Sequence, residues 1–395
     1  MADKIRFGVI GMGFQGSLYA KLLWGDGAVF GAKAPEHGVL AALSSRDEKK
    51  RAGFAELYPN VPFFTDWKEM VTSGTVDAVI IATPHKNHPE LTMYCLEHGI
   101  HVLLDKPAGL HVKEVAAMNR CSAAHPDVTF GMIFNQRTNP LYQRAKDIVS
   151  SGELGKVRRI HWTSTNWWRP DRYYDQSAWR GTWGGEGGGI LMNQTPHQLD
   201  LWQWICGMPK SLYANVEFGL HREISVDNDV TLVAEYGDGV TGVYIACAHD
   251  IVGLDRLEIS FDGGKVVITE NGKKGEIYRL EATEMELNQS MEMDRVKDFI
   301  QGKPLVGLYT VEELSCSEGF GLQHTLTMEN FALHILEGTP LLIPGVEGIN
   351  SLELANGALL SSWTGQKVSL PIDEDVYLEQ LNKQIKNEGL FDILS

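Results

Sequence analysis

A glycine-rich hexapeptide near the start of the chain constrains the fold more than any other feature. It follows the apolar run Ile5 to Ile10 and opens a segment with helical spacing of apolar residues; its members are Gly11, Met12, Gly13, Phe14, Gln15 and Gly16. In a chain with 41 glycines the pattern GxGxxG alone is weak evidence, but its place between a strand and a helix is typical of dinucleotide binding. There the glycines allow a tight turn, the approach of a pyrophosphate and close helix packing. We therefore predict that this hexapeptide binds cofactor phosphates, with a plain glycine turn as the alternative.

The pattern of the whole chain indicates two α/β domains. Up to about residue 127, short apolar strands alternate with helical segments; the strands include VLAALSS, DAVIIATP and HVLLDKP. From Val128 long alternating segments with DG or GG turns predict hairpins, as in VTLVAEYGDGVTGVYIACAHD and RLEISFDGGKVVITENG. We predict a Rossmann dinucleotide-binding domain over 1–127 and a substrate-binding and oligomerisation α/β domain over 128–395, with a large, mainly antiparallel open sheet. The charged tail after Asp373 predicts a terminal helix.

Composition excludes several classes of partner. The formal net charge of −16 argues against binding to a nucleic-acid backbone, and no apolar run reaches the length of a membrane helix. The N-terminus has no signal-type pattern, and the five cysteines show no CxxC spacing. We expect a cytoplasmic protein with reduced thiols and a small-molecule substrate.

The end of the second predicted strand bears on the choice of cofactor. An acidic residue there would accept a hydrogen bond from the ribose of NAD, but the sequence has Ser45 followed by Arg46. A hydroxyl beside a guanidinium suits the 2′-phosphate of NADP, so we favour NADP over NAD. Alternatively, Arg46 stacks on the adenine or faces water, and Asp47 reaches the ribose.

Polar residues follow the next two strands, where an open α/β sheet binds its ligands. We expect cofactor contacts from Thr83, Pro84, His88, Asp105 and Lys106. Lys106 ends a buried strand, and a nearby cationic nicotinamide would lower its pKa toward a range useful for proton transfer. The alternative interpretation is that Lys106 is a surface lysine at the end of the strand. The HxxH spacing of residues 85–88 lacks a third ligand nearby, so we predict no metal.

The segment GGGILMNQTPHQLD, residues 187–200, combines backbone freedom with proton-handling side chains. Thr195 as N-cap, Pro196 at the first helical position and Gln198 as capping-box partner predict a helix start. His197 then lies in the first turn, where the helix dipole keeps imidazole neutral. We expect Asp200 to fix its tautomer or bind a substrate hydroxyl, and the glycines to pass close under a sugar. A capped helix with a buried histidine is the alternative.

An aromatic and arginine-rich segment, TNWWRPDRYYDQSAWRGTW, precedes those glycines at residues 165–183. Aromatic faces and bidentate donors suit a pyranose ring, so we expect Arg169 and Trp179 to contact the substrate. An aromatic loop that packs on its own domain or on another subunit is the alternative.

Taken together, these motifs resemble the Gfo/Idh/MocA oxidoreductase family. The signatures that carry the resemblance are GMGFQG, ATPHKNH, DKP in place of the commoner EKP, and GGG followed by N-x-x-x-H-x-x-D; FNQRTNPLY, which contains Arg137, and GELGKV extend it. The resemblance implies an oligomer, a dimer or tetramer, and the role of proton-handling residues for Lys106 and His197. It also implies substrate contacts by Arg137, Asn193 and Asp200. The family usually has an aspartate where this chain has Asn193, which cannot carry a proton.

The resemblance implies hydride transfer between a nicotinamide and a hydroxyl or keto carbon of a sugar, sugar derivative or cyclitol. We therefore predict an NAD(P)-dependent dehydrogenase or reductase. Two alternatives stay open: a glycosidase of the same fold that retains NAD and acts by oxidation and elimination, and a non-catalytic sugar or cofactor sensor.

Overall fold

The first layer is a six-stranded parallel sheet with helices on its faces. The computed structural model describes residues 3–25, 31–304, 306–317 and 319–394, with the side chain of residue 320 left out. The strand order is β3-β2-β1-β4-β5-β6, as in Rossmann domains. The strands are β1 Ile5–Ile10, β2 Gly38–Ser44, β3 Phe63–Phe64, β4 Ala78–Ile81, β5 His101–Asp105 and β6 Phe130–Ile133. The helices are α1 Phe14–Trp24, α2 Arg51–Leu57, α3 Trp67–Thr72, α4 His88–Glu97 and α5 Val112–Ala124.

Burial on both faces explains the continuous apolar strands of this sheet. All four residues of β4 are buried, as parallel strands between two helical layers require. One covering helix comes from the distant part of the chain: α12, Phe320–Glu337, packs Phe331 against Phe7 of β1 with ring centroids 6.1 Å apart. The sheet also extends to Ile133, beyond residue 127.

The second layer is a nine-stranded sheet in the order β14-β13-β12-β11-β7-β10-β9-β8-β15, in which only the β7–β10 pair is parallel. The predicted hairpins are present, with Asp238 and Gly239 at positive φ (51° and 77°) in the turn between β9 and β10. The strands are β7 Val157–Ser164, β8 Ser211–Phe218, β9 Asp227–Gly237, β10 Val240–Cys247, β11 Asp255–Phe261, β12 Gly264–Thr269, β13 Lys274–Leu280, β14 Tyr309–Ser315 and β15 Val368–Ser369.

Helices cover one face of this sheet and leave the other exposed. Alternate residues of β9 are buried, while Val233 on its outer face is 40% exposed. The remaining helices are α6 Pro140–Ser151, α7 Asp171–Tyr174, α8 Trp183–Glu186, α9 Pro196–Cys206, α10 Glu284–Ser290, α11 Met293–Ile300, α13 Gly348–Thr364 and α14 Glu374–Glu388. Helix α14 is the predicted terminal helix, and its N-cap is Asp373. Within the described residues, no helix has the length and apolar character needed to cross a bilayer.

Candidate active site

The glycine hexapeptide forms the turn between β1 and α1, and each glycine meets a different steric demand. Gly11 has φ +95°, which favours glycine. A Cβ at Gly16 would lie 1.9 Å from the Gly11 carbonyl oxygen, so the turn and the helix could not pack as they do. A Cβ at Gly13 would meet nothing within 4 Å, which leaves this backbone open to a ligand. The turn therefore has the shape that a bound pyrophosphate requires.

A pocket of about 390 Å³ lies beside this turn, at the carboxyl ends of β1, β2 and β4. Arg46 is exposed at its rim, and Lys50 donates to the Met12 carbonyl oxygen at 2.9 Å. The Asp47 carboxylate accepts from the Lys49 backbone N–H at 3.1 Å, so one of its oxygens caps its own turn. The predicted cofactor residues that line this pocket are Gly11, Met12, Gly13, Ser45, Arg46, Thr83 and Pro84.

His88 is placed differently from our prediction. It is 1% exposed and lines neither this pocket nor the adjoining cleft. Its ring nitrogens lie 2.7 Å from the Pro107 carbonyl oxygen and 2.9 Å from the Thr83 carbonyl oxygen. Burial lowers the pKa of His88 to about 4, and the two carbonyl oxygens oppose this shift. Instead of contacting a cofactor, His88 joins the turns that follow β4 and β5.

A larger cleft of about 710 Å³ meets this pocket at Gly13 and Thr83 and extends between the two domains. One wall comes from the first domain and includes Phe14, Gln15, Asp105 and Lys106. The opposite wall comes from the second domain; its members include Trp167, Arg169, Tyr173, Trp179, Arg180, Asn193 and His197. The structure therefore brings both predicted proton-handling residues, Lys106 and His197, to one cleft.

Lys106 is fixed by contacts with both domains. Its Nζ donates to the Asn193 carbonyl oxygen at 2.6 Å, and its backbone N–H donates to Asp105 Oδ1 at 2.9 Å. Burial lowers the pKa of the Lys106 ammonium, opposed by the nearby carboxylates of Asp105 and Glu186. Burial also raises the pKa of Asp105 to about 6, and Tyr19 donates to that carboxylate at 3.1 Å.

His197 is the second residue of helix α9, after Pro196, which occupies the predicted first position. The predicted capping box is wrong: Thr195 donates its hydroxyl to the Ile190 carbonyl oxygen at 3.0 Å, because a π-helical turn precedes the helix. Burial lowers the pKa of His197 well below its usual value, and the positive charge of Lys106 is the second cause of this shift. Its Nδ1 is buried and has no hydrogen-bond partner among the described residues. The shift favours the neutral form of the ring.

Arg137 and Asp200 lie away from the cleft, contrary to our expectation of substrate contacts. Both side chains are 0% exposed and paired with each other, with distances of 2.8 Å from Nε to Oδ2 and 2.6 Å from Nη2 to Oδ1. Gln203 donates to the same carboxylate at 3.1 Å. Asp200 therefore does not fix the tautomer of His197, because its oxygens serve Arg137.

Asn193 lines the cleft, but its side chain is directed toward a carboxylate that the sequence did not reveal. Its Nδ2 donates to Glu186 Oε1 and lies 3.2 Å from the Tyr173 hydroxyl oxygen. Glu186 Oε2 accepts from the Gly181 backbone N–H at 2.6 Å. Burial raises the pKa of Glu186 to about 7. A carboxylate is thus present beside position 193, supplied by helix α8.

Aromatic rings and guanidinium groups alternate along the second-domain wall. Tyr173 lies between Arg169 and Arg180, whose guanidinium carbons are 4.9 Å and 4.7 Å from its ring centroid. Arg180 also lies 4.8 Å over Trp179 and donates to the Tyr173 hydroxyl at 2.7 Å. Arg169 and Trp179, for which we predict substrate contacts, both line the cleft.

The three glycines at 187–189 do not approach the cleft. They are buried, and a Cβ at Gly189 would lie 2.0 Å from the Asp227 carbonyl oxygen. The Asp227 carboxylate accepts backbone N–H groups from Gly189 and Leu191. Our expectation that they pass under a sugar was wrong, since their small size serves close packing against β9.

Residues from helix α12 complete the cleft and were also missed. Gln323 and His324 line it, and the ring of His324 packs 5.8 Å from that of Tyr19. These residues follow the motif-bearing segments by more than a hundred positions, so only the folded chain brings them to the site.

Comparison with known proteins agrees with this geometry. A model of an oxidoreductase family with an NAD-binding Rossmann fold matches residues 5–132, and a model of the GFO/IDH/MocA C-terminal domain matches residues 142–267. The chain belongs to the Gfo/Idh/MocA family. It is an NAD(P)-dependent oxidoreductase with the two-domain architecture of that family.

Its relatives include dehydrogenases of cyclitols. The chain is 26% identical to myo-inositol 2-dehydrogenase of Thermotoga maritima, over 69% of this chain and 81% of that protein. It is 25% identical to scyllo-inositol 2-dehydrogenase (NADP(+)) IolW of Bacillus subtilis, over 91% and 94%. The fold matches levoglucosan dehydrogenase in complex with NADH at a TM-score of 0.75 and 19% identity, covering 94% of this chain and all of that one.

Proposed function

We propose that this protein oxidises a secondary hydroxyl of a sugar, sugar derivative or cyclitol, or reduces the corresponding ketone, with Lys106 and His197 as its catalytic residues. The observation that carries the proposal is the state of His197 in the cleft. Its ring lines the same cleft as Lys106, and its lowered pKa leaves it able to accept the proton of a hydroxyl bound there. The dehydrogenases among the relatives support the substrate class.

The two residues have different tasks. His197 is neutral because burial and Lys106 oppose a second positive charge, so it accepts the hydroxyl proton. Lys106, held at Nζ by the Asn193 carbonyl oxygen, has two remaining donors for the substrate oxygen. A bound nicotinamide supplies the hydride acceptor at the carbon that bears this oxygen. Loss of the proton to His197 and of the hydride from carbon leaves the ketone.

The second-domain wall suits a substrate with many hydroxyl groups. Trp179 lines the cleft and could pack against sugar C–H groups, and Arg169 has a buried Nε without a partner among the described residues. The Asn193 side chain is engaged by Glu186, so we propose that it acts on Lys106 through its backbone carbonyl. Arg137 and Asp200 form a buried ion pair, with Glu347 as a second partner of Arg137, so we assign them no contact with the substrate.

We propose NADP as the preferred cofactor. Ser45 and Arg46 lie at the pocket beside β2, Lys50 adds a second cation there, and Asp47 is partly engaged in its own turn. One relative is named for NADP. The comparison of NADP with NAD in steady-state kinetics tests this assignment directly.

We further propose a homo-oligomer, a dimer or tetramer, assembled through the open face of the nine-stranded sheet. That face carries exposed Tyr213 and Val233, which are 47% and 40% exposed, beside charged side chains. Sedimentation of the purified protein tests the proposal, and a monomer at every concentration would contradict it.

The test of the activity is a substrate panel monitored by nicotinamide absorbance. We expect turnover on at least one member of a set of sugars, anhydrosugars, glycosides and cyclitols, with reduced cofactor and ketone formed in equal amounts. Release of aglycone from a glycoside without net change of cofactor would instead identify the glycosidase alternative. Tight sugar binding without turnover on any member would identify a sensor.

A further inference from the structure

A second cluster of ligand-type side chains lies outside the cleft, at the end of the β9–β10 hairpin. Asp229 and Cys247 are cross-strand partners, and His249 follows Cys247 by two residues. One carboxylate oxygen, the Cys247 sulfur and one ring nitrogen of His249 all lie within 4.8 Å of one another. It is the one group of at least three such side chains with this spacing within the described residues.

The spacing is close to what a tetrahedral metal requires. Zinc binds sulfur at about 2.3 Å and nitrogen or oxygen at about 2.0–2.2 Å, which places neighbouring ligand atoms about 3.3–3.6 Å apart. His249 Nε2 and Asp229 Oδ2 are 2.8 Å apart, so metal binding must separate this hydrogen-bonded pair slightly and shorten the distances to the sulfur.

A further imidazole, that of His221, lies on a firmly held turn next to this cluster, outside the group of three ligand atoms within 4.8 Å of one another. The ring of His221 lies 5.5 Å from that of His249 in an edge-on arrangement. Asn228 fixes this turn, because its Oδ1 accepts from the Leu220 N–H at 2.8 Å and its Nδ2 donates to the Leu220 carbonyl oxygen at 2.6 Å. His221 itself has a positive φ of 58°, an uncommon conformation outside glycine.

We infer that Asp229, Cys247 and His249, with His221 as the fourth ligand, form a binding site for zinc or a similar transition-metal ion. Thiolate and imidazole ligands select such ions over magnesium or calcium, which prefer oxygen alone. Burial raises the pKa of the Cys247 thiol, and the backbone N–H groups of His249 and Asp250 partly oppose this. Metal binding releases that proton to solvent and forms the metal–sulfur bond.

Four protein ligands leave no open position, so the site has a structural role. It lies next to the wall of the cleft, since the Arg169 backbone N–H donates to the Ala248 carbonyl oxygen at 2.8 Å. A metal here would join β9, β10 and the 219–226 turn, and would brace the segment that carries Arg169. Its presence does not depend on the reaction performed in the cleft.

The experiment measures metal bound to the untagged full chain. Protein is incubated with excess zinc chloride, passed through a desalting column and analysed for zinc, and a second sample is loaded with cobalt chloride. We expect one zinc per chain and a thiolate-to-cobalt charge-transfer absorption. Zinc at a free concentration about one hundred times its Kd should raise the Tm of the protein by roughly 3 °C.

Variants separate the site from adventitious binding. Cys247→Ser should lose the thiolate-to-cobalt charge-transfer absorption, and His249→Gln should lose the bound zinc. His221→Asn should weaken zinc binding about tenfold or more. The matched control is Cys121→Ser, which removes a half-buried cysteine whose sulfur lies 3.9 Å from His125 Nδ1. It should bind like wild type, and circular dichroism of the metal-free proteins checks that each variant folds. The proposal is overturned if wild type binds no zinc, or if folded His249→Gln binds as much as wild type.

Discussion

Substitution of Asn193 by the aspartate usual in the family should destabilise this protein. The structure already has a carboxylate at this place, since the buried Glu186 accepts a hydrogen bond from Asn193 Nδ2. Asn193→Asp removes that donor and sets a second carboxylate against Glu186. Two buried carboxylates in contact cannot both ionise, so the pair must retain a proton.

The size of the effect follows from the contacts. A hydrogen bond from an amide to a buried charge contributes about 1.5–3 kcal/mol. Burial already raises the pKa of Glu186 to about 7, so a proton retained at pH 8 costs at least about 1.4 kcal/mol more. We therefore expect Asn193→Asp to lower the free energy of unfolding by about 3–4 kcal/mol at pH 8. Because the carboxyl pair has a raised pKa, the stability that its protonated form contributes is present at low pH and is lost as the pH rises. The difference in free energy of unfolding between wild type and Asn193→Asp should therefore be smaller at pH 5–6 than at pH 8.

The assay is denaturant unfolding of wild type, Asn193→Asp, Glu186→Gln and the double variant at pH 8. The double variant exchanges donor and acceptor, so it should recover about 1.5–3 kcal/mol relative to the sum of the single losses. Glu56→Gln, which alters an exposed glutamate on α2, is the control and should leave stability unchanged. The reasoning is refuted if Asn193→Asp is as stable as wild type at pH 8, or if the losses are additive.

Three further predictions concern the paired core, the phosphate turn and the cofactor. Asp200→Asn leaves the buried Arg137 guanidinium with Glu347 as its remaining carboxylate partner, so we expect the free energy of unfolding in denaturant to fall by about 1.5–3 kcal/mol; a raised KM at full stability would restore a substrate contact for Asp200. Gly13→Ala places a methyl group where the turn is open, so it should leave Tm unchanged but weaken cofactor binding, measured by calorimetry, about tenfold. Gly16→Ala should weaken cofactor binding and also lower Tm. An unchanged cofactor affinity in Gly13→Ala would contradict the phosphate site. Arg46→Ala should lower kcat/KM for NADP by about tenfold to a hundredfold with little change for NAD, and a strong wild-type preference for NAD would show that Arg46 does not bind a 2′-phosphate.

The sequence predicted those parts of the site that depend on local order along the chain. The glycine turn lies between a strand and a helix because the apolar run and the glycines are adjacent in sequence. Lys106 could be placed because it ends a buried strand, and strand ends of a parallel sheet share one edge. His197 could be placed because Pro196 marks a helix start.

Features that depend on contacts between distant segments could not be predicted. Asp200 has helical spacing to His197, yet Arg137 from another element takes its carboxylate. Glu186 stood beside a glycine run without any pattern to suggest that it meets Asn193. His324 reaches the cleft only because α12 returns to the first sheet. A single sequence does not show which buried charges pair, or that a helix late in the chain packs against the first sheet.

The measurement that tests the central claim most directly is kcat for nicotinamide reduction by the active sugar in His197→Ala and Lys106→Ala. Removal of a general base should lower kcat by about 10²–10⁴-fold, and Lys106→Ala should lower it comparably, while cofactor binding is retained. Lys86→Ala, an exposed lysine outside the cleft, is the control and should match wild type. Wild-type kcat in either cleft variant would contradict the assignment of Lys106 and His197 as the residues that handle the hydroxyl proton.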